Sequence, residues 1–559
     1  VTIDFSRYVL IILKTNLIRM KLLFATLLLI FASFHCKPSD PAQAKTPRIS
    51  ETELLQKRVP LFLDRKENNL LELKIKIAAD APPLVLKRIV LRFAEGSNLS
   101  AVSSVSAMLS EDTPFGSASP KKLAVELNGN RQLADGTHII HFRFAANKAA
   151  SLLATFRVSA AELFFSNHPS VQVAADGDFV YRPALVLRAQ GQDHCDTYRI
   201  PGLVTTNRGT LIAVYDNRYN NSKDLQEDVD IGMSRSTDGG QTWEPMRVIL
   251  DMGEWGGRPQ QLNGAGDPCV LYDPATHTIW VAALWMSGSA TDQMLWWASK
   301  PGMKPEETGQ FMLVKSTDDG LTWSPPVNIT GQIKNPDWQL LLQGPGRGIA
   351  MKNGTLVFPA QFKADIGQKA LDGGAYTCHS TIVYSRDHGQ TWQIGSGAKT
   401  NTTEAQVVEL ADGTLMLNMR DDRNRKDKSE TNGRAVAVTA DLGKTWTVHP
   451  SSNSALPESN CMASLIDAPV KINGKTQQVL FFSNPNNKNE RKNMTIKASL
   501  DGGLTWPEKL QVELNEEAGY GYSCMTMVDE NTVGIIYEGV KEIFFQKVPV
   551  NELLNNALK

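Results

Sequence analysis

Three kinds of side chain stand out in this chain because each sits in a setting met once, between stretches that otherwise repeat. The arginines are Arg199 in Tyr198-Arg199-Ile200-Pro201, Arg218 in Tyr215-Asp216-Asn217-Arg218, and then Arg420 and Arg491. The carboxylates are Asp224 just after Arg218, Asp267 in Gly266-Asp267-Pro268, Glu404 ahead of Arg420, and Glu538 in Ile535-Ile536-Tyr537-Glu538. Tyr522 follows the stretch from Glu516 to Gly521, with Tyr520 close by. A guanidinium keeps its charge and presents a rigid fork of donors, which suits bidentate recognition of a carboxylate better than a lysine does. Carboxylates set in different surroundings can serve as general acid and base, one giving a proton and another taking it. A phenol, with a free pKa near ~10, becomes a nucleophile only beside a base.

What must position these groups is a phrase that recurs five times. It reads Ser236-Thr237-Asp238-Gly239-Gly240-Gln241-Thr242-Trp243, and returns from Ser316 to Trp323, Ser385 to Trp392, Thr439 to Trp446 and Ser499 to Trp506. Asp and Gly at fixed offsets suit a tight turn, since the carboxylate accepts backbone N–H bonds and Gly tolerates positive φ. The tryptophan is expected to open the next strand and pack between layers. Repeated antiparallel units must cover one another's faces and protect their edges, and radial closure into a propeller does both. The fold class expected is therefore all-β, a six-bladed β-propeller over 189–559. Identical turns in every unit read as scaffold, because chemistry needs different residues converging once.

Upstream, residues 45–188 differ in texture. Leu71–Ile77 and Lys87–Phe93 alternate with period two, and Thr137–Phe144 and Val158–Phe165 read as further strands. This predicts a smaller β-sandwich that binds carbohydrate or braces the propeller. Residues 1–44 hold a basic start at Met20-Lys21, a short apolar run from Leu22 to Phe34 and a small-x-small site at Ala42-Gln43-Ala44, the pattern of a secretion signal. The expected location is periplasmic, cell-surface or extracellular. Cys36 raises a lipoprotein alternative, against which the preceding Phe34-His35 is bulky. With 58 basic and 59 acidic side chains and a net charge of −1, nothing draws the chain to nucleic acid. Cys195, Cys269, Cys378, Cys461 and Cys524 are widely spread, form no metal spacing and read as small buried side chains; export leaves a disulfide open.

Tyr198-Arg199-Ile200-Pro201, taken with the Ser-x-Asp-x-Gly-x-Thr-Trp phrases, resembles the bacterial exo-sialidase (neuraminidase) family over nearly all of residues 195–545. The resemblance implies a six-bladed propeller that removes terminal sialic acid from glycoconjugates, with sialylated glycans as partners and no metal or other cofactor. It implies that Arg199, Arg420 and Arg491 bind the sugar carboxylate, that Glu538 buttresses Arg199, and that Arg218 and Asp267 bind substrate beside the sugar. Asp224 takes the family position of the acid/base, with Asp228 and Asp230 as rivals. Glu404 and Tyr522 take those of the base and nucleophile, with Glu409 and Tyr520 as neighbours to distinguish; Lys492 is the alternative to Arg491. A neutral phenol also approaches an anomeric carbon bearing a carboxylate with less repulsion than a carboxylate nucleophile would. The same motifs leave a trans-sialidase or a non-catalytic sialic-acid-binding propeller as alternatives.

Overall fold

The computed structural model describes residues 48–555, apart from positions 80 and 112. The expected secretion signal, its cleavage site and Cys36 lie outside the described residues. Every strand anticipated upstream is present, within Asn68–Ile77, Leu84–Phe93, Gly136–Ala146 and Val158–Phe165. They belong to two antiparallel sheets of five and four strands. Alternation does what it should: Leu71, Leu73, Ile75 and Ile77 are buried while Lys74 and Lys76 reach Glu51 and Glu53 on the outside. Each such side chain contributes on the order of 2 kcal/mol by leaving water.

From Pro183 onward the chain forms six further sheets of four to six strands. Their first or central strands, Thr197–Thr205, Ala265–Asp273, Leu356–Ala364, Thr402–Glu409, Ser464–Ile472 and Ser523–Asp529, touch one another in a closed cycle. The last sheet is completed from the other end of the chain. Pro183–Arg188 pairs antiparallel with Ile543–Pro549, and Leu61–Phe62 adds beyond it in parallel. The transition anticipated at 188/189 thus falls at the end of a strand that belongs to the final sheet. The upstream sheets share one apolar cluster with Tyr198, Leu203, Tyr215 and Phe545 of the ring. Arg58–Glu513, Arg65–Glu542 and Arg182–Glu552 ion pairs tie the same region to the ring.

All five repeated phrases adopt one turn. In the first, Ser236 Oγ donates to Asp238 Oδ1 (2.8 Å), which also accepts Thr242 N–H (2.9 Å), while Thr242 Oγ1 donates to Asp238 Oδ2 (2.6 Å). Gly240 N–H donates back to Ser236 Oγ at 2.9 Å. These bonds recur at Asp318, Asp387, Asp441 and Asp501. The Thr322 hydroxyl and N–H hold the Asp318 carboxyl down to about 2. Gly240 needs its left-handed backbone (φ 84°), and a Cβ there would collide with the Phe545 ring. Trp392 and Trp446 lead directly into Gln393–Ile394 and Thr447–Val448, whereas Trp243 stands before Arg247–Leu250 with a gap between and packs edge-on against Phe545 at 5.2 Å. The five cysteines within the described residues are buried, free thiols.

Candidate active site

Two of the cycle's strands change direction where chemistry-bearing residues occur. Arg199 is followed by Ile200 at φ 57°, and Gly266 by Asp267 at φ 59°, each within a register shift of its strand and each before a proline. A β-branched residue at positive φ is strained. At Ile200 the strain is offset by its N–H donating to Glu538 Oε1 (2.8 Å) and by packing against Cys461, Met462 and Tyr522. Such bulges re-aim side chains away from the regular alternation. Here Arg199, Asp224, Asp267, Glu404, Arg420, Arg491 and Tyr522 all line one cavity of about 350 Å³.

At the cavity's centre the Tyr522 hydroxyl donates to Glu404 Oε1. Arg420 Nη1 reaches both Glu404 Oε2 (2.7 Å) and the Tyr522 hydroxyl (3.2 Å). Burial and the Glu404 charge push the Tyr522 phenol well above its ordinary pKa, outweighing the three nearby arginines. Burial would raise Glu404, but Arg420 and the Tyr522 hydrogen bond leave it below the ordinary carboxylate value. The resting pair is therefore a neutral phenol pointed at an ionised carboxylate.

Glu538 is wholly buried and holds three groups. It accepts Arg199 Nε (3.1 Å), Ile200 N–H and Tyr522 N–H (2.9 Å). Arg199 also lies 4.8 and 4.9 Å from the Tyr520 and Tyr522 ring centroids, and its Nη1 reaches Asp224 Oδ1 at 3.0 Å. Arg491 donates to the Tyr520 carbonyl (2.9 Å) and the Asn460 carbonyl (3.0 Å).

Asp224 is 52% exposed, and that face opens into the cavity. Burial of its remainder would raise its pKa, but Arg218 and Arg199 bring it down to about 2. Asp267 goes the other way: burial, with Asp216 and Asp224 close by, pushes its carboxyl well above the ordinary value.

One expected site residue stands apart from the others. Arg218 does not line the cavity; it is 1% exposed, and its donors are taken by Asp216 Oδ2 (2.8 Å), the Ser222 carbonyl and Asp224 Oδ1 (2.7 Å). It holds the loop that carries Asp224 from behind. The rivals also separate. Asp230 is buried on Val229–Ser236, pushed up to about 8 by burial and by Asp251 and Asp228, and Asp228 accepts from Gln260. Glu409 is buried and caps Lys352 N–H (2.8 Å), and Lys492 pairs with Glu490. Sequence reasoning passed over Asp216 and Asn460; the first stands within the Tyr215–Arg218 motif, whereas nothing marks the second.

A family model described as a BNR repeat-like domain matches residues 209–535. A sialidase of Bacteroides fragilis is 43% identical over 89% of this chain and 94% of its own length. A Micromonospora viridifaciens sialidase is 31% identical over 63% of this chain and 51% of its own. The solved Hadza microbial sialidase Hz136 superposes with a TM-score of 0.79 at 41% identity, covering 89% of this chain and 99% of that one. With that similarity along nearly its whole length, the chain belongs to the bacterial sialidase family.

Proposed function

We propose that this protein is a retaining exo-α-sialidase, freeing terminal sialic acid from glycoproteins, glycolipids and oligosaccharides. The observation that carries the reading is the Tyr522 hydroxyl bonded to Glu404, beside Arg199, Arg420 and Arg491 and across one cavity from Asp224. The sugar carboxylate is taken by the three arginines, which orient the anomeric carbon over the phenol oxygen.

Glu404 accepts the phenol proton as the Tyr522 oxygen bonds to the anomeric carbon, and the glycosidic bond breaks as Asp224 protonates the departing oxygen. Asp224, now a carboxylate, takes a proton from water, whose oxygen attacks the same carbon. The Tyr522–sugar bond breaks and Glu404 returns the proton to the phenolate. Two displacements at one carbon give retention. The low pKa of free Asp224 requires that substrate change it: an anion on Arg199 neutralises a charge that holds the carboxylate ionised.

The six sheets in a closed cycle support a six-bladed propeller, and the two upstream sheets a β-sandwich that braces it. The apolar run before residue 45 supports export to the periplasm, cell surface or medium. NMR of the sugar released from α2,3- and α2,6-sialyllactose tests the reaction. Free sialic acid appearing first as the α anomer is expected. An anhydro sugar or transfer to an acceptor redirects the reading to trans-sialidase chemistry, and binding without release to a lectin.

A further inference from the structure

Arg420 lies on the strand Leu415–Asp421 and Arg491 in the loop that joins Lys475–Pro485 to Met494–Ser499 of the next sheet, and one residue outside both fixes how they stand to each other. Asn460 Oδ1 accepts Arg420 Nη2 at 2.9 Å, and the Asn460 main-chain carbonyl accepts Arg491 Nη2 at 3.0 Å. Its Nδ2 donates to the Asp421 carbonyl at 3.1 Å, so the amide has a fixed sense: donor towards Asp421, acceptor towards Arg420. Asn460 is 6% exposed and sits at φ 56°, a left-handed conformation that asparagine tolerates better than most residues.

We infer that Asn460 is a positioning residue of the anion site, setting the spacing and tilt of Arg420 and Arg491 by offering its side-chain oxygen to one and its main-chain oxygen to the other. The inference rests on the reading of these arginines as carboxylate binders. Three guanidinium groups crowded at one pocket repel one another. Arg199 is neutralised by Glu538 and Arg420 by Glu404, whereas Arg491 donates to the Tyr520 and Asn460 carbonyls. The neutral bridge keeps the end of the cavity nearest Arg491 positive, as an anionic ligand needs. An aspartate at 460 would offer the same acceptor but spend that charge.

Backbone and side chain separate cleanly in a test. Asn460→Gly keeps the left-handed φ and the carbonyl facing Arg491, and removes the side-chain amide, that is, the oxygen facing Arg420 and the donor to the Asp421 carbonyl. The probes are the 2,3-unsaturated sialic acid and its neutral C1 carboxamide, with dissociation constants from calorimetry. The variant should bind the acid about tenfold more weakly and the carboxamide within about twofold of the parent. Asn460→Asp should bind the acid more weakly still, with affinity that varies with salt. Arg420→Ala serves as the reference. If Arg420→Ala discriminates acid from carboxamide and Asn460→Gly does not, or loses both alike, Asn460 has no positioning role. If Arg420→Ala fails to discriminate, the anion-site reading falls first, and the inference with it. Acid binding that tightens in Asn460→Asp would also overturn it.

Discussion

Asp224→Asn separates two jobs that the free enzyme gives one carboxylate. Asp224 Oδ1 lies 3.0 Å from Arg199 Nη1 and 2.7 Å from Arg218 Nη1. It thus competes with any incoming anion for Arg199. Its pKa falls from 3.8 to about 2 because Arg218 first and Arg199 second outweigh burial. At ~1.4 kcal/mol for each tenfold change in the proton equilibrium, that pull is on the order of 2 kcal/mol. Half the carboxylate faces water and Arg218 carries the larger share of the pull, so the competition at Arg199 comes to no more than ~1 kcal/mol, or roughly fivefold in affinity. The amide retains the shape but drops the charge. Asp224→Asn should therefore bind the unsaturated sialic acid about fivefold more tightly than the parent protein, read by calorimetry at low salt. Its turnover of sialyllactose should meanwhile fall by ~10²–10⁴. An aryl sialoside, whose leaving group needs no proton, should suffer less. Unchanged or weaker binding of the acid would refute the idea that Asp224 occupies the anion's place, whatever happens to turnover.

Tyr522→Phe should keep the affinity for the unsaturated acid and lose turnover by more than ~10²-fold, since only the attacking oxygen is removed; residual turnover near the parent level would exclude Tyr522 as nucleophile. Gly240→Ala should cost about 3 kcal/mol or more, combining strain at positive φ with the Phe545 collision, whereas Gly413→Ala, with φ 85° and open space around its Cβ, should cost ~1 kcal/mol; thermal melting distinguishes them. Lys497 is buried with Asn484 Oδ1 as its side-chain hydrogen-bond partner among the described residues (3.1 Å), and burial pulls its pKa from 10.5 to about 7. The unfolded chain then binds the proton between pH 7 and 10.5 while the folded chain does not, so stability rises with pH across that window and the penalty is complete below pH 7. Lys497→Met should raise the melting temperature more at pH 6 than at pH 9, and an equal rise at both would show that Lys497 is not the titrating group.

The scaffold was legible because its signals are local. A turn needing Asp, Gly and Thr at fixed offsets writes itself into five octets, and period-two alternation marks the strands. The candidate site was legible as a set of one-off residues, yet their jobs depend on partners far along the chain. Arg218 looks like a free cation from its own segment, and only the burial of Asp216 beside it shows that its charge is already used. Asn460 carries no signal at all, because its work depends on a left-handed backbone and on arginines 40 residues before and 31 residues after it. Pro183–Arg188 lies at the expected transition between the two β regions, and nothing local marks a partner strand more than 350 residues away.

That long-range pairing bears on how the molecule comes to life. Because Pro183–Arg188 stitches onto Ile543–Pro549, the ring cannot shut until Ile543–Pro549 has left the ribosome. Arg199 belongs to the first sheet, while Glu538 and Tyr522 belong to the last sheet or lead into it, so the active site straddles the seam. Enzymatic activity is thus a latch indicator: in refolding, it should emerge with the final act of closure and after the tryptophan-bearing turns have formed. A polypeptide stopped short of Ile543 would carry almost every residue named above and still be mute.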